Sequence, residues 1–252
     1  MKEHKEKAKK PIYKRWWFWL LAVIFIFMII PTSDKSDSPS NNLPNTSSQT
    51  TEKSEPEQID DGLTTGQRNA LKDAKSYLNY SGFSRDGLIH QLEYEGYTSE
   101  DAAWAADNAE ADWNEEALES AKDYIDHSDF SYEGLKHQLE YEKFTADQAA
   151  YGADNCGADW NAEALESAKD YIDYSGFSYS GLIHQLEYEQ YTADQAKYGA
   201  DNCGADWDAE AVECAANYLK HSSFSRDGLI DQLEYEGFTN AQAVHAAAEN
   251  GY

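Results

Sequence analysis

Apolar side chains follow three spacings along this chain. From Trp16 to Ile30 they run without a break and close on Pro31. Between residues 31 and 60 they almost vanish, leaving Ser, Thr, Pro, Asn and charge. From residue 61 onward they return three and four residues apart, the period of a helix with one buried face. No segment alternates apolar and polar residues as a half-buried strand does, so the pattern predicts an all-α fold.

The helical part copies itself. Segments starting at residues 80, 127, 174 and 221 read YSGFSRDGLIHQLEYEGYTSEDA, HSDFSYEGLKHQLEYEKFTADQA, YSGFSYSGLIHQLEYEQYTADQA and HSSFSRDGLIDQLEYEGFTNAQA. Phe83, Phe130, Phe177 and Phe224 recur every 47 residues, as do Trp113, Trp160 and Trp207. A fixed period of this size marks units that cannot bury an apolar face alone and are strung in tandem. The chain divides into four such repeats, 61–110, 111–157, 158–204 and 205–252.

Each repeat predicts three short helices. In the third repeat, residues 163–174 place Ala164, Leu165, Ala168, Tyr171 and Ile172 on one face. Asn161 reads as its N-cap, with Trp160 packing on Leu165 as a hydrophobic staple; Trp113 with Leu118 and Trp207 with Val212 repeat the arrangement. The first repeat offers Thr64 and Gln67 instead, a capping box. Ser84, Ser131, Ser178 and Ser225 are N-caps for the second helix, which ends at turns formed by Gly96-Tyr97, Lys143-Phe144, Gln190-Tyr191 and Gly237-Phe238. Thr98, Thr145, Thr192 and Thr239 cap a narrow, Ala-rich third helix, and Gly157 and Gly204 read as its C′ stops.

The unbroken run at 16–30 reads as a transmembrane helix. Fifteen residues span about 22 Å, short of a ~30 Å hydrocarbon core, but Tyr13, Trp16, Trp17 and Trp19 suit the interface, and Lys14 and Arg15 can snorkel. No small-x-small site follows, which argues against a cleaved signal peptide, and no cysteine is placed for lipidation. The basic residues of 1–15 place that tail in the cytoplasm and everything after Pro31 outside. Residues 31–60 form a disordered linker with no core of its own, which as a flexible coil averages roughly 30 Å end to end.

Charge narrows the function. Residues 61–252 hold 39 Asp/Glu against 11 Lys/Arg, a net charge of −28. Such a surface repels a nucleic-acid backbone and attracts basic proteins. The second and third helices together resemble a helix-turn-helix, yet the third carries Glu100, Asp101 and Asp107 where a DNA reader needs Lys and Arg. The run from Asp154 to Asn161 lacks the glycine register of a calcium loop. His90, His137 and His184 share a repeat position with Asp231, which fits a solvated polar face better than a metal site. Cys156, Cys203 and Cys214 are read as small half-buried side chains. No catalytic grouping recurs with the repeat, so no enzyme, cofactor or metal is expected.

The Gln-Leu-Glu-Tyr-Glu core stands unchanged in all four repeats. Leu92 is core by spacing, but the two glutamates and the tyrosine cannot all face inward on one helix. The candidate partner-binding residues are therefore Glu93, Tyr94 and Glu95, with Glu140, Tyr141 and Glu142, Glu187, Tyr188 and Glu189, and Glu234, Tyr235 and Glu236. Recent duplication and selection for an acidic-aromatic stripe both account for their identity.

The Phe-Ser-x-x-Gly-Leu, Gln-Leu-x-x-Glu-Gly-Phe/Tyr-Thr and Ala-Asp-Trp-Asn elements, over residues 64–252, resemble the Ltp family of host cell surface-exposed lipoproteins, associated with phage superinfection exclusion in Gram-positive bacteria. The resemblance implies acidic helical repeats outside the membrane that block phage DNA injection by engaging a basic partner, the phage tape-measure protein. Family lipoproteins end their signal in a lipobox cysteine; here a transmembrane helix stands in its place. The other reading is a general cell-surface module binding wall polymers or a host protein.

Overall fold

The computed structural model describes residues 62–252. The expected basic tail at 1–15, transmembrane helix at 16–30 and linker at 31–60 lie outside the described residues. Among those described there are twelve α-helices and no strand. They are α1 (Thr65–Leu78), α2 (Arg85–Tyr94), α3 (Ser99–Asn108), α4 (Trp113–His127), α5 (Tyr132–Tyr141), α6 (Ala146–Asn155), α7 (Trp160–Tyr174), α8 (Tyr179–Tyr188), α9 (Ala193–Asn202), α10 (Trp207–His221), α11 (Arg226–Tyr235) and α12 (Asn240–Glu249). Three consecutive helices make one unit, and each unit has a core of its own.

Each core is small and built alike. The middle helix contributes two fully buried leucines, Leu88 and Leu92 in the first unit, which press on alanines of the flanking helices, Ala70, Ala74, Ala102 and Ala105. Alanine lets the outer helices approach closely. In the second and third units even alanine is too large at one point: a Cβ on Gly152 would lie 2.7 Å from the Ala117 carbonyl oxygen, and one on Gly199 2.6 Å from that of Ala164.

The helices begin where the sequence caps them. Ser84, Ser131, Ser178 and Ser225 accept from the backbone N–H of Gly87, Gly134, Gly181 and Gly228 at 2.9–3.1 Å. Thr64, Thr145, Thr192 and Thr239 form complete capping boxes with Gln67, Gln148, Gln195 and Gln242. The first helix of the later units departs from expectation. Its N-cap is Asp112, Asp159 or Asp206, and Asn161 lies inside α7, donating its N–H to Asp159 Oδ1 at 3.1 Å. Trp160 is then the first helical residue and packs backward: it belongs to the core of the second unit, while Leu165 packs in the third. Trp113 and Trp207 likewise close the cores of the first and third units. Trp160 and Trp207 meet Tyr132 and Tyr179 edge to face, centroids 5.5 Å apart.

The middle helix ends in a Schellman turn. Tyr97 N–H donates to the Leu92 carbonyl at 3.2 Å and Gly96 N–H to that of Glu93 at 3.0 Å. The turn requires positive φ at the residue after the cap. Gly96 and Gly237 supply it freely, but Lys143 and Gln190 adopt φ of 71° and 70° at the same position.

Adjacent units are joined through loops and caps. The hydroxyls of Ser84, Ser131 and Ser178 donate to the backbone carbonyls of Glu142, Glu189 and Glu236, each in the following unit. In return, Glu116 and Glu210 accept the N–H of Phe83 and Phe177 at 3.3 Å, and Glu163 accepts that of Phe130. A Cβ on Gly82 or Gly176 would lie 2.4 or 2.5 Å from the carbonyl oxygen of Glu116 or Glu210, so the chains touch at these glycines.

Candidate partner-binding surface

The five-residue core of the middle helix divides its labour by direction. Leu92, Leu139, Leu186 and Leu233 are fully buried. The next-but-one residue points the other way: Tyr94, Tyr141, Tyr188 and Tyr235 are 75%, 69%, 83% and 85% exposed. These are large aromatic side chains standing in water at one repeat position, which the cores do not require.

The two glutamates differ in role. Glu93, Glu140, Glu187 and Glu234 lie on the outward side, and their contacts are local. Glu93 and Glu187 lie 3.6 and 3.5 Å from Nδ1 of His90 and His184, one turn back, and Glu234 accepts from Asn240 Nδ2 at 2.8 Å. Glu95, Glu142, Glu189 and Glu236 cap the helix, and each carboxylate accepts the hydroxyl proton of a tyrosine on the unit's first helix: Tyr77, Tyr124, Tyr171 and Tyr218 respectively. The same tyrosine oxygens accept from Gln91, Gln138, Gln185 and Gln232 at 3.0–3.2 Å. Each ring also meets Phe83, Phe130, Phe177 or Phe224 edge to face, at 5.4–5.9 Å. This Gln–Tyr–Glu–Phe clamp recurs four times. The period of 47 displayed its members, but a periodicity does not tell which members touch.

Burial acts on these acids. Glu95 is exposed, having no described unit before it, whereas Glu142 and Glu189 sit half-buried at unit junctions, and burial holds both carboxyls above their ordinary range. Glu163 is pushed up to about 7, first by burial and then by Asp129, with Asp159 and Glu166 adding to the repulsion. Tyr171 and Tyr218 rise to about 12 through burial and the hydrogen bond to their glutamates.

Cations are too few to balance this surface. The Lys and Arg ion pairs among the described residues are peripheral, such as Arg85 with Asp107 at 2.7 Å and Lys136 with Glu133 at 2.9 Å. Exposed pairs of this kind contribute little stability, so the excess negative charge faces solvent. His90, His137, His184 and Asp231 are all exposed, and no group of three or more His, Cys, Asp or Glu among the described residues could hold a metal ion. Cys156, Cys203 and Cys214 are unpaired with one another; Cys156 and Cys203 fill small sites at the ends of α6 and α9. No helix among the described residues is long and apolar enough to cross a membrane.

The array has recognisable relatives. A family model described as host cell surface-exposed lipoprotein matches residues 65–108, 112–156, 159–203 and 206–248, one match to each three-helix unit. Among solved structures, the chain is similar to that of Ltp, a superinfection exclusion protein from the Streptococcus thermophilus temperate phage TP-J34. Identity is 32%, over 37% of this chain and 97% of that one, with a TM-score of 0.36. No curated protein matches the chain. With four matches in register with its four structural units, the chain belongs to the Ltp family of host cell surface-exposed lipoproteins.

Proposed function

We propose that this protein acts in superinfection exclusion: held at the outer face of the cell membrane, it blocks entry of phage DNA after adsorption by binding a basic component of the injection apparatus. Family membership sets the direction of this reading, and the uncompensated net charge of −28 over residues 61–252 carries its mechanism. A cationic partner is drawn to such a surface over a Debye length of about 8 Å at physiological salt, which favours fast capture during a brief injection event. Four units in tandem add avidity when the partner is itself long or repetitive, as a tape-measure protein is. The apolar run at 16–30, with seven Lys/Arg before it, supplies the tether, and residues 31–60 keep the repeats close to the membrane.

The test is infection of cells expressing the full chain, with adsorption, DNA entry and survival scored separately. Normal adsorption with blocked entry is expected. Unchanged entry across a broad phage panel would reject the reading and favour a general surface-binding role.

A further inference from the structure

We propose that the groove between the third and fourth units is a socket for a lysine or arginine side chain of a basic partner segment, and that the same socket recurs at the other junctions. The groove encloses about 740 Å³, large enough for several side chains, and Phe177, Tyr188, Tyr218, His221, Glu236 and Phe238 help to line it. Four aromatic rings share its walls with Ser, Gly, His, Gln and Asn, and one carboxylate stands among them. Glu236 accepts hydrogen bonds from Tyr218 and, at 2.8 Å, from Gln232 Nε2. Both donors are neutral, and no Lys or Arg among the described residues lies within ion-pair distance of it. The negative charge of Glu236 is therefore held in place but not balanced. Tyr188, 83% exposed at the rim, presents an unhindered ring.

An apolar wall, an open aromatic face and a fixed anion together match one kind of side chain: a long aliphatic stem ending in a cation. The fold already makes half of this contact with its own residues, since Lys136 Nζ sits 5.2 Å from the ring centroid of Tyr132. An acidic ligand is repelled by the surrounding charge, and a purely apolar one would bury Glu236 without a counter-ion. At the same repeat positions the first junction has Tyr94 with Glu142 and the second has Tyr141 with Glu189, so a basic segment of sufficient length engages several sockets. The identity of the partner as a phage component rests on the function proposed above; the socket chemistry does not.

The probe is a fluorescein-labelled dodecapeptide of alternating lysine and alanine, with an aspartate–alanine peptide as its counterpart, titrated against the full chain by anisotropy. Tyr188→Ala is expected to weaken lysine-peptide binding about three- to tenfold, Tyr188→Phe to leave it intact, and Glu236→Gln to weaken it at least as much as Tyr188→Ala. The control Asp147→Asn with Asp194→Asn removes two exposed charges from the third helices and should cost less than twofold. Far-ultraviolet circular dichroism confirms that each variant is folded. Equal losses in the control and Glu236→Gln, with Tyr188→Ala silent, would overturn the socket in favour of diffuse attraction. Concentration-dependent self-association abolished by Tyr188→Ala would overturn it in favour of a second copy as occupant. Infection of cells expressing Tyr188→Ala separates the two readings: peptide binding lost with protection retained keeps the socket and removes the phage partner from it, whereas no peptide binding by the wild-type chain rejects the socket while leaving exclusion to the infection assay.

Discussion

Replacing Glu163 with Gln should stabilise the array at pH 8 and make it less responsive to acid. Glu163 is half-buried at the junction of the second and third units, accepts the Phe130 N–H and faces Asp129, Asp159 and Glu166. Its carboxyl is raised from about 4.5 to about 7. At about 1.4 kcal/mol per pH unit between those values, a fully desolvated carboxylate would cost roughly 3 kcal/mol when ionised; water on the open side of Glu163 screens this to about 1–2 kcal/mol. The sign follows from which state releases its proton first. Below about pH 4.5 the group is protonated folded or unfolded and costs nothing. Between 4.5 and 7 the unfolded chain ionises first, so stability falls as pH rises, and above 7 the full penalty applies. Glu116, Glu142, Glu189 and Glu210, all raised mainly by burial, act in the same direction. Gln keeps an acceptor for the Phe130 N–H and removes the charge. Thermal unfolding at pH 5 and pH 8 reads the effect, about 2–4 °C per kcal/mol for an array of this size. Glu163→Gln should raise Tm by several degrees at pH 8 and by little at pH 5. An equal change at both pH values would refute the reasoning, because the benefit would then not come from charge.

Two further outcomes concern local geometry. Lys143→Gly and Gln190→Gly should each stabilise the fold by about 1 kcal/mol, because the positive φ at these turns costs a side chain that much; lower Tm in both would show that the side chains do something the turn needs. Trp160→Ala should cost about 2 kcal/mol, and amide exchange should quicken in α5 and α6 rather than in α8 and α9. Faster exchange confined to the third unit would return Trp160 to a staple on Leu165.

That contrast marks where the sequence stopped being readable. Units, helix count and most caps were legible because the signals are local and occur four times: a serine after a phenylalanine, a threonine three residues before a glutamine. In Asp159-Trp160-Asn161 two residues can cap equally well, and only the backbone decides; Asp159 is extended, with φ −94° and ψ 96°, so Asn161 falls inside the helix and Trp160 turns toward the preceding unit. The candidate surface was legible in part. Tyr94, Tyr141, Tyr188 and Tyr235 are exposed, but Glu95, Glu142, Glu189 and Glu236 hold tyrosines eighteen residues upstream. The junction acids are not legible in the sequence, because Glu116 meets Phe83 thirty-three residues away and a period cannot show which copies face each other.

The exclusion reading is tested most directly by DNA entry in cells expressing a variant that changes only the outward acids. Glu93, Glu140, Glu187 and Glu234 can be replaced with Gln together without touching the tyrosine clamps, which isolates surface charge from fold. Phage should adsorb normally to all cells. Labelled phage DNA should fail to enter cells carrying the wild-type chain and should enter more freely when the four glutamates are neutralised and the protein is present at equal level. Full entry past the wild-type chain, or equally complete blockade by the neutralised variant, would contradict capture of a basic injection protein by this acidic face.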